Sequence, residues 1–476
     1  MSTHDASQPN PEDEDSTTFG RVYIALGSNV GDRLQNIENA CRLIDADADM
    51  RILRTSPLYE TAPMYVEDQG RFLNGACEIT TTLDPMSLLD RLQGIEKTLG
   101  REKMIDKGPR NIDLDILMFR NEQMKTERLT IPHALMLERE FVLRPLCDIV
   151  TAKMRGVPGV RVSTLRALHN LVAKNPPQAM FALTNLGHEG DDIRSRDPRF
   201  PTRIMSIVNV TPDSFSDGGH YKPNNLETFR TLVKAQIAAG ASIIDVGGQS
   251  SRPNAPDVTA EEEIARVLPA IEAIKALPEA AKVSISVDTY RAAVAEAAVK
   301  AGAHIVNDIS GGTLDPDMFA TVARLGCTYV LMHMRGTPAT MMSEENCSYP
   351  QGLIETVKGE LQERIEEAML AGIRRWRIIL DPGIGFSKTV EQNVELLRKF
   401  RTLTSGGSSK AYAWLAGSSR KSFIGKVTGV EDPKDRALGT AATVTAAIQG
   451  GAHIVRVHDA GEMSAVVKMA DAIYRA

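Results

Sequence analysis

RIMSIVNVTPDSFSDGG (203–219), SIIDVGGQSSRP (242–253), VSISVDT (283–289), HIVNDISGG (304–312), TYVLMHMRG (328–336), RIILDPGIGF (377–386), YAWLAGSSRKSF (412–423) and AHIVRVHD (452–459) are eight short apolar runs. Each breaks into Asp, Asn, His, Arg or Gly where the run ends. Runs rich in Ile, Val, Leu and Met with little polar alternation suit strands buried on both faces, and such strands belong to parallel sheets covered by helices. Eight of them separated by helix-like stretches predict a C-terminal (β/α)8 TIM barrel over residues 201–476. In that architecture the active site lies at the carboxyl ends of the strands, so the polar residues that close the runs converge on one mouth.

Working outward, 476 residues leave a second domain's worth of chain in front of the barrel. Apolar content of 42% and charged content of 24% fit a soluble globular protein, and no run reaches the roughly 18 apolar residues of a membrane helix. A net charge of −6 offers no general basic surface, so neither nucleic acid nor membrane is an expected partner. Five scattered cysteines form no C-x-x-C pair, which excludes a disulfide framework and a cysteine metal site. Residues 1–18 are polar and acidic without an apolar centre and read as a disordered tail, with a cytoplasmic location expected. The Pro, Gly and Asp clusters of 176–200 read as a linker, leaving 19–175 for the first domain.

That domain opens with the strand RVYIALGSN, then a helix from Arg33 to Asp45, then the strand ILRTSPLYET. FLNGACEITTT (72–82) is a further strand, Pro85 starts the amphipathic helix ending at Gly100, and NIDLDILMF alternates strictly. The order β, α, β, β, α, β predicts an α+β ferredoxin-like sandwich.

In GPRNIDLDILMF, Asp113 and Asp115 stand two apart on a strand, so both carboxylates share one side. Two adjacent like charges favour a cation, and Mg²⁺ is usually held by one or two carboxylates plus substrate phosphates. The plain alternative is a solvated strand face. Arg101, Arg110, Arg128, Arg139 and His133 are candidate donors for a polyphosphate. The segments LGSNVGDR, LYETAP, FLNGA, IEKTLGR, GPRNIDLDIL and IPHALMLEREFVLRPL, in this order over 21–150, resemble 6-hydroxymethyl-7,8-dihydropterin pyrophosphokinase. The resemblance implies that Asp113 and Asp115 bind two Mg²⁺ ions with ATP while Arg101, Arg110 and His133 contact its phosphates. Glu96, Arg128 and Arg139 would assist nucleotide binding or loop closure. Thr61, Met64, Phe72, Asn74 and Phe141 would hold the pterin by stacking and by an amide paired to its edge. Two positions depart from the family pattern: Thr61-Ala62-Pro63 replaces Thr-Pro-Pro, and Lys107 stands where a Trp is common.

At the barrel mouth, Arg456 and His458 lie two apart and both can donate to an anion. Lys421 and Ser422 follow a loop that opens a helix with free N–H groups, in the usual phosphate region of such barrels. Asp288, Asn307 and Asp381 offer amide and carboxylate groups at three strand ends and suit an aminopyrimidinone edge. Capping of the following helices is the competing explanation for acidic strand ends and the preferred one for Asp308 and Asp315.

NVTPDSFSDGG, SVDT, VNDISGG, LMHMRG, DPGIGF, SSRKSFIG and RVHD fall in the order of dihydropteroate synthase, which 203–470 resembles. The resemblance implies that Asn209 ligates one Mg²⁺ with pyrophosphate, held also by Arg252, Arg456 and His458. Asp288, Asn307, Asp381 and Lys421 would fix the pterin, with Met332 and Phe386 lining its slot. Phe215, Asp217, Ser251 and Pro253 would shape the p-aminobenzoate pocket, and Ser422 would meet its carboxylate. Asp217 would also stabilise a cationic intermediate. Gln249, Ser251 and Asn254 replace the usual Glu, Thr and Gly, so sulfonamide affinity does not carry over. The two resemblances imply ATP, hydroxymethyldihydropterin and p-aminobenzoate as partners and allow a homodimer through the barrel. The alternatives are a pterin-dependent methyltransferase barrel, without a recognisable cobalamin module here, and a non-catalytic pterin-binding protein.

Overall fold

Alternating residues from Gly20 onward pair as strands in a computed structural model that describes residues 20–64, 68–101, 108–150, 156–157, 160–174, 180–195, 197–210, 223–249 and 258–475. The chain divides into two units, 1–180 and 181–476. The first contains β1 (Gly20–Ser28), α1 (Arg33–Ala46), β2 (Met50–Thr55), β3 (Leu58–Thr61), β4 (Phe72–Thr81), α2 (Pro85–Thr98) and β5 (Asp113–Phe119). The single strand expected over ILRTSPLYET is split at Ser56-Pro57, since proline has no N–H for the ladder. Both halves pair antiparallel with β4, which pairs with β1, which pairs with β5. That order, with α1 and α2 as the two crossovers, is the ferredoxin-like arrangement. Asp32 caps α1 by accepting from the Gln35 N–H at 2.9 Å, and Asp84 caps α2 ahead of Pro85 in the first helical position. A small hairpin, β6 (Met124–Lys125) and β7 (Thr130–Ile131), leads to α3 (Glu140–Ile149). Val142, Leu146 and Ile149 of α3 pack with Tyr23, Leu117 and Met118 on one face of the sheet. β8 (Gly156–Val157), β9 (Val160–Ser163) and α4 (Thr164–Lys174) follow.

The second unit begins with an antiparallel hairpin, β10 (Phe181–Asn185) and β11 (Asp192–Arg194). Then come β12 (Arg203–Asn209), β13 (Ile243–Gly247), β14 (Ser284–Asp288), β15 (Ile305–Asp308), β16 (Thr328–Met332), β17 (Ile378–Asp381), β18 (Ala413–Ala416) and β19 (Ile454–Val457). These eight are parallel and close into a barrel in sequence order, one strand for each apolar run. Inward-facing Met205, Ile243, Ile305, Val330, Ile379 and Ile454 form an inner core, and a larger apolar layer lies between strands and helices.

The hairpin differs from the linker expected over 176–200. Its Leu186 and Ile193 are part of the inner barrel core. Its polar groups bind residues at the amino ends of the barrel strands: Thr328 Oγ1 donates to the Asn185 carbonyl at 2.6 Å, and Arg377 donates to Asn185 Oδ1 at 2.9 Å. Arg203 pairs with Asp191 at 2.9 Å. The bottom of the barrel is therefore filled. The tail expected over 1–18 lies outside the described residues. Among the described residues no helix is long and apolar enough to cross a membrane.

Candidate active sites

The first site is a cavity of about 200 Å³ in the first unit. β5 supplies Asp113 and Asp115, and the neighbouring loops supply Arg101, Arg110 and Arg139. Thr61, Met64, Phe72, Asn74 and Phe141 line the same cavity. Asn74 donates to Thr61 Oγ1 at 2.8 Å, which fixes the amide. Asp113 takes Arg101 on one oxygen at 2.7 Å and Arg110 on the other at 2.8 Å. Burial, with Asp113 and Glu96 nearby, pushes the Asp115 carboxyl up to about 7. An oxygen-rich pair with such an unfavourable charge is the donor set a hard divalent cation fits.

Other predicted residues act at one remove. Glu96 is buried, accepts from the Leu114 N–H at 2.8 Å and pairs with Arg101, so it aims that arginine. His133 is held by the Leu117 carbonyl through its N–H, and its Nδ1 accepts from Leu135; burial and Arg139 keep its ring below the usual histidine range. Arg128 pairs at 2.5 Å with Asp90 on α2 and does not line the cavity. Lys107 lies outside the described residues. Asn29 had no assigned role, yet it ties three segments together: its side chain donates to Gln69 at 3.0 Å and to the Gly70 carbonyl, and it accepts from the Arg110 N–H at 2.8 Å.

The second site is the carboxyl mouth of the barrel. Asp288 and Asp381 close β14 and β17, Asn307 stands one residue before the end of β15, and Met332 ends β16. Arg456, expected to belong to an anion-binding half, turns its guanidinium to two carboxylates: Nε donates to Asp245 at 2.6 Å and Nη2 to Asp288 at 2.5 Å. Asn307 donates to the same Asp245 oxygen at 3.1 Å. Asp245 is fully buried within β13, and its Oδ1 has no donor among the described residues. Burial pushes Asp288 up to about 7 against the pull of Arg456. Burial also raises Asp381, opposed by Lys421 and the Gly383 N–H. Lys421 is drawn down to about 7 by burial, its ammonium donates to the Ile384 carbonyl, and it lies 4.1 Å from the centre of the Phe386 ring.

His458 faces Ser419 Oγ through its N–H at 3.2 Å and its Nδ1 at 3.1 Å. Asn209 ends β12, and Ser422 opens the short helix Ser422–Thr428. Neither Asp308 nor Asp315 caps the helix that follows it, Met318–Leu325: Asp308 ties the turn after its strand by accepting from the Ser310 and Gly312 N–H groups, and Asp315 accepts from the Ala292 N–H at the start of the helix Ala292–Ala301, earlier in the chain. Gly383 has φ +70, and a Cβ there would run into the His333 carbonyl, so the turn after β17 requires glycine. Phe215, Asp217, Ser251, Arg252 and Pro253 lie outside the described residues.

Residues 205–458 match the family described as pterin binding enzyme, and 23–151 match 7,8-dihydro-6-hydroxymethylpterin-pyrophosphokinase, HPPK. A folic acid synthesis protein of Pneumocystis carinii is 46% identical over 97% of this chain, which spans 61% of that protein's length. The mitochondrial folate synthesis bifunctional protein of Arabidopsis thaliana is 40% identical over 97% of this chain and 84% of its own. The solved structure of Plasmodium falciparum wild-type HPPK-DHPS with pteroate shares the fold, with a TM-score of 0.77 over 96% of this chain and 98% of that one at 21% identity. With both domains matched in this order, the chain belongs to the bifunctional folate-synthesis family that joins an HPPK domain to a pterin binding enzyme barrel.

Proposed function

We propose that the chain performs two consecutive steps: pyrophosphoryl transfer from ATP to 6-hydroxymethyl-7,8-dihydropterin, and condensation of that diphosphate with p-aminobenzoate to 7,8-dihydropteroate and pyrophosphate. The observation that carries the reading is the make-up of the first cavity. A carboxylate pair and three arginines share it with a fixed amide and two aromatic rings, the chemistry of a polyphosphate beside a flat heterocycle.

Asp113 and Asp115 would hold two Mg²⁺ ions with ATP, and Asn209 one with pyrophosphate. When bound, magnesium neutralises phosphate charge. Arg101 and Arg110 then orient the phosphates, assisted by His133, Arg139, Glu96 and Arg128, and the reaction needs alignment more than covalent help.

In the barrel, Asp288, Asn307 and Asp381 would bind the pterin edge against Met332 and Phe386. The C–O bond to pyrophosphate breaks with its electron pair on oxygen, the arylamine nitrogen closes the C–N bond, and its proton passes to solvent. Lys421, His458 and Arg252 would stabilise the departing charge. Phe215, Asp217, Ser251, Pro253 and Ser422 would bind p-aminobenzoate, with Asp217 opposing the developing pterin cation. The reading includes a homodimer through the barrel, supported by exposed Val427, Leu438 and Met469 on its helices and tested by sedimentation. It also includes a cytoplasmic location, tested by localising the tagged chain.

The test is turnover of hydroxymethyldihydropterin, ATP and p-aminobenzoate with Mg²⁺, followed by two variants. Asp115→Ala should lower only the first step, by about a thousandfold or more. His458→Ala should weaken only the second. Absence of both products with the unaltered chain, or loss of both steps in either folded variant, refutes the reading.

A further inference from the structure

Behind the turn that carries Asp381 and Phe386 lies a charged residue with no role in the reading above. Lys388 is 1% exposed. Its ammonium donates to the Gly383 carbonyl at 3.2 Å and the Phe386 carbonyl at 3.1 Å, and meets His333 Nδ1 at 3.0 Å. Three acceptors match the three N–H bonds of an ammonium, whereas a neutral amine serves two. Nδ1 accepts only in the tautomer with the proton on Nε2, and Nε2 faces Glu360 at 2.7 Å. Glu360 also takes the Nε of Arg335 at 3.0 Å on each oxygen.

The same turn is clasped a second time. Ser387, a buried non-glycine residue at φ +50, accepts from the Arg335 N–H and donates to the Arg335 carbonyl, each at 2.9 Å. Tyr349 donates to the Ser387 carbonyl at 2.8 Å. The charged groups facing Lys388 are Asp381, Lys421, Glu360 and Arg335, with the Cys347 thiol also within its field. Burial draws the Lys388 ammonium down to about 7, and Asp381 opposes that pull.

We propose that Lys388 is a positioning residue for the barrel site: its ammonium holds the Asp381–Phe386 turn from behind and sets a positive charge against the Asp381 carboxylate. The inference rests on the pterin reading of the mouth. It assigns Asp381 a further cation besides Lys421 and Arg456, so that a ligand N–H meets an ionised acceptor.

The test is steady-state kinetics of the full chain with preformed pterin diphosphate and p-aminobenzoate, from about pH 6 to about pH 9. Lys388→Met should raise KM for pterin diphosphate about tenfold with kcat changed less than about threefold. Its KM should climb further as pH falls, because Asp381 without its rear cation takes a proton at higher pH. Lys388→Gln restores donors without charge, so it should recover part of KM and keep the altered pH profile.

A folded Lys388→Met with the KM and pH profile of the unaltered chain overturns the inference. So does a joint loss of kcat and affinity with an unaltered profile, which marks a structural role alone. If Lys388→Met does not fold, Glu360→Gln at the outer end carries the test. In the unaltered chain KM should rise on the alkaline side as Lys388 loses its proton; removing the Glu360 anion makes Lys388 release that proton at lower pH, so this rise should begin at lower pH in Glu360→Gln, and an unmoved rise overturns the inference. If the unaltered chain fails to convert pterin diphosphate, it is the proposed function that falls.

Discussion

Asp245 has only apolar neighbours in sequence, yet it is the hub of the barrel mouth. It holds the guanidinium of Arg456, 211 residues away in sequence, and the amide of Asn307, 62 away. A fully buried carboxylate with one oxygen unpaired among the described residues is tolerable because a charged donor saturates the other. Asp245→Asn leaves Arg456 with a single anionic partner, so kcat/KM for the barrel reaction should fall about thirtyfold, roughly 2 kcal/mol, with the first step untouched. Steady-state assays of the two half-reactions check this, and equal kinetics would show that Arg456 keeps its orientation without Asp245. The sequence made Asp113 and Asp115 legible because their spacing along one strand is itself the signal. Asp245 and Asn29 stayed hidden because their importance is set by partners from other elements, which no local spacing reports. Arg456 was located correctly at a strand end, but the direction of its head group depends on Asp245 and was not readable.

Among elements, the eight barrel strands were readable because burial on both faces writes an apolar run, and each such run became one strand. The β10–β11 hairpin was not. Its strands have 5 and 3 residues, with Gly187 and Gly190 between them, and such a segment looks like connecting chain. Two of its apolar residues, Leu186 and Ile193, are wholly buried in the inner core. Leu186→Ala should therefore cost about 3 kcal/mol of barrel stability, the usual range for a buried leucine. Urea unfolding followed by the fluorescence of Trp376 and Trp414, both buried in the barrel, measures it. A change under about 1 kcal/mol would mean that the site collapses around the smaller side chain or that the hairpin is dispensable. α3 was likewise absent from the strand and helix order read in the first domain.

For the molecule as a whole, pH should act through histidines far from the mouth. Burial lowers His453 and His304 from 6.5 to about 4. His453 accepts from the Trp414 N–H at 3.1 Å and reaches the Ser195 carbonyl at 3.2 Å, and the His304 ring lies 4.3 Å from that of His188. The folded chain holds fewer protons than the unfolded chain between the two values. Stability is thus complete above about pH 6.5 and declines as pH falls toward 4, by roughly 3 kcal/mol at most for His453. The urea midpoint should drop over that interval, and His453→Gln should flatten part of the drop. A midpoint independent of pH there would contradict neutral buried rings.

The hairpin that fills the bottom of the barrel also governs traffic. With Leu186 and Ile193 seated among the inner residues, the barrel has one open end, and a molecule that reaches the strand ends must leave by the way it came. On the proposed reaction, both products would share that one exit with the next substrates.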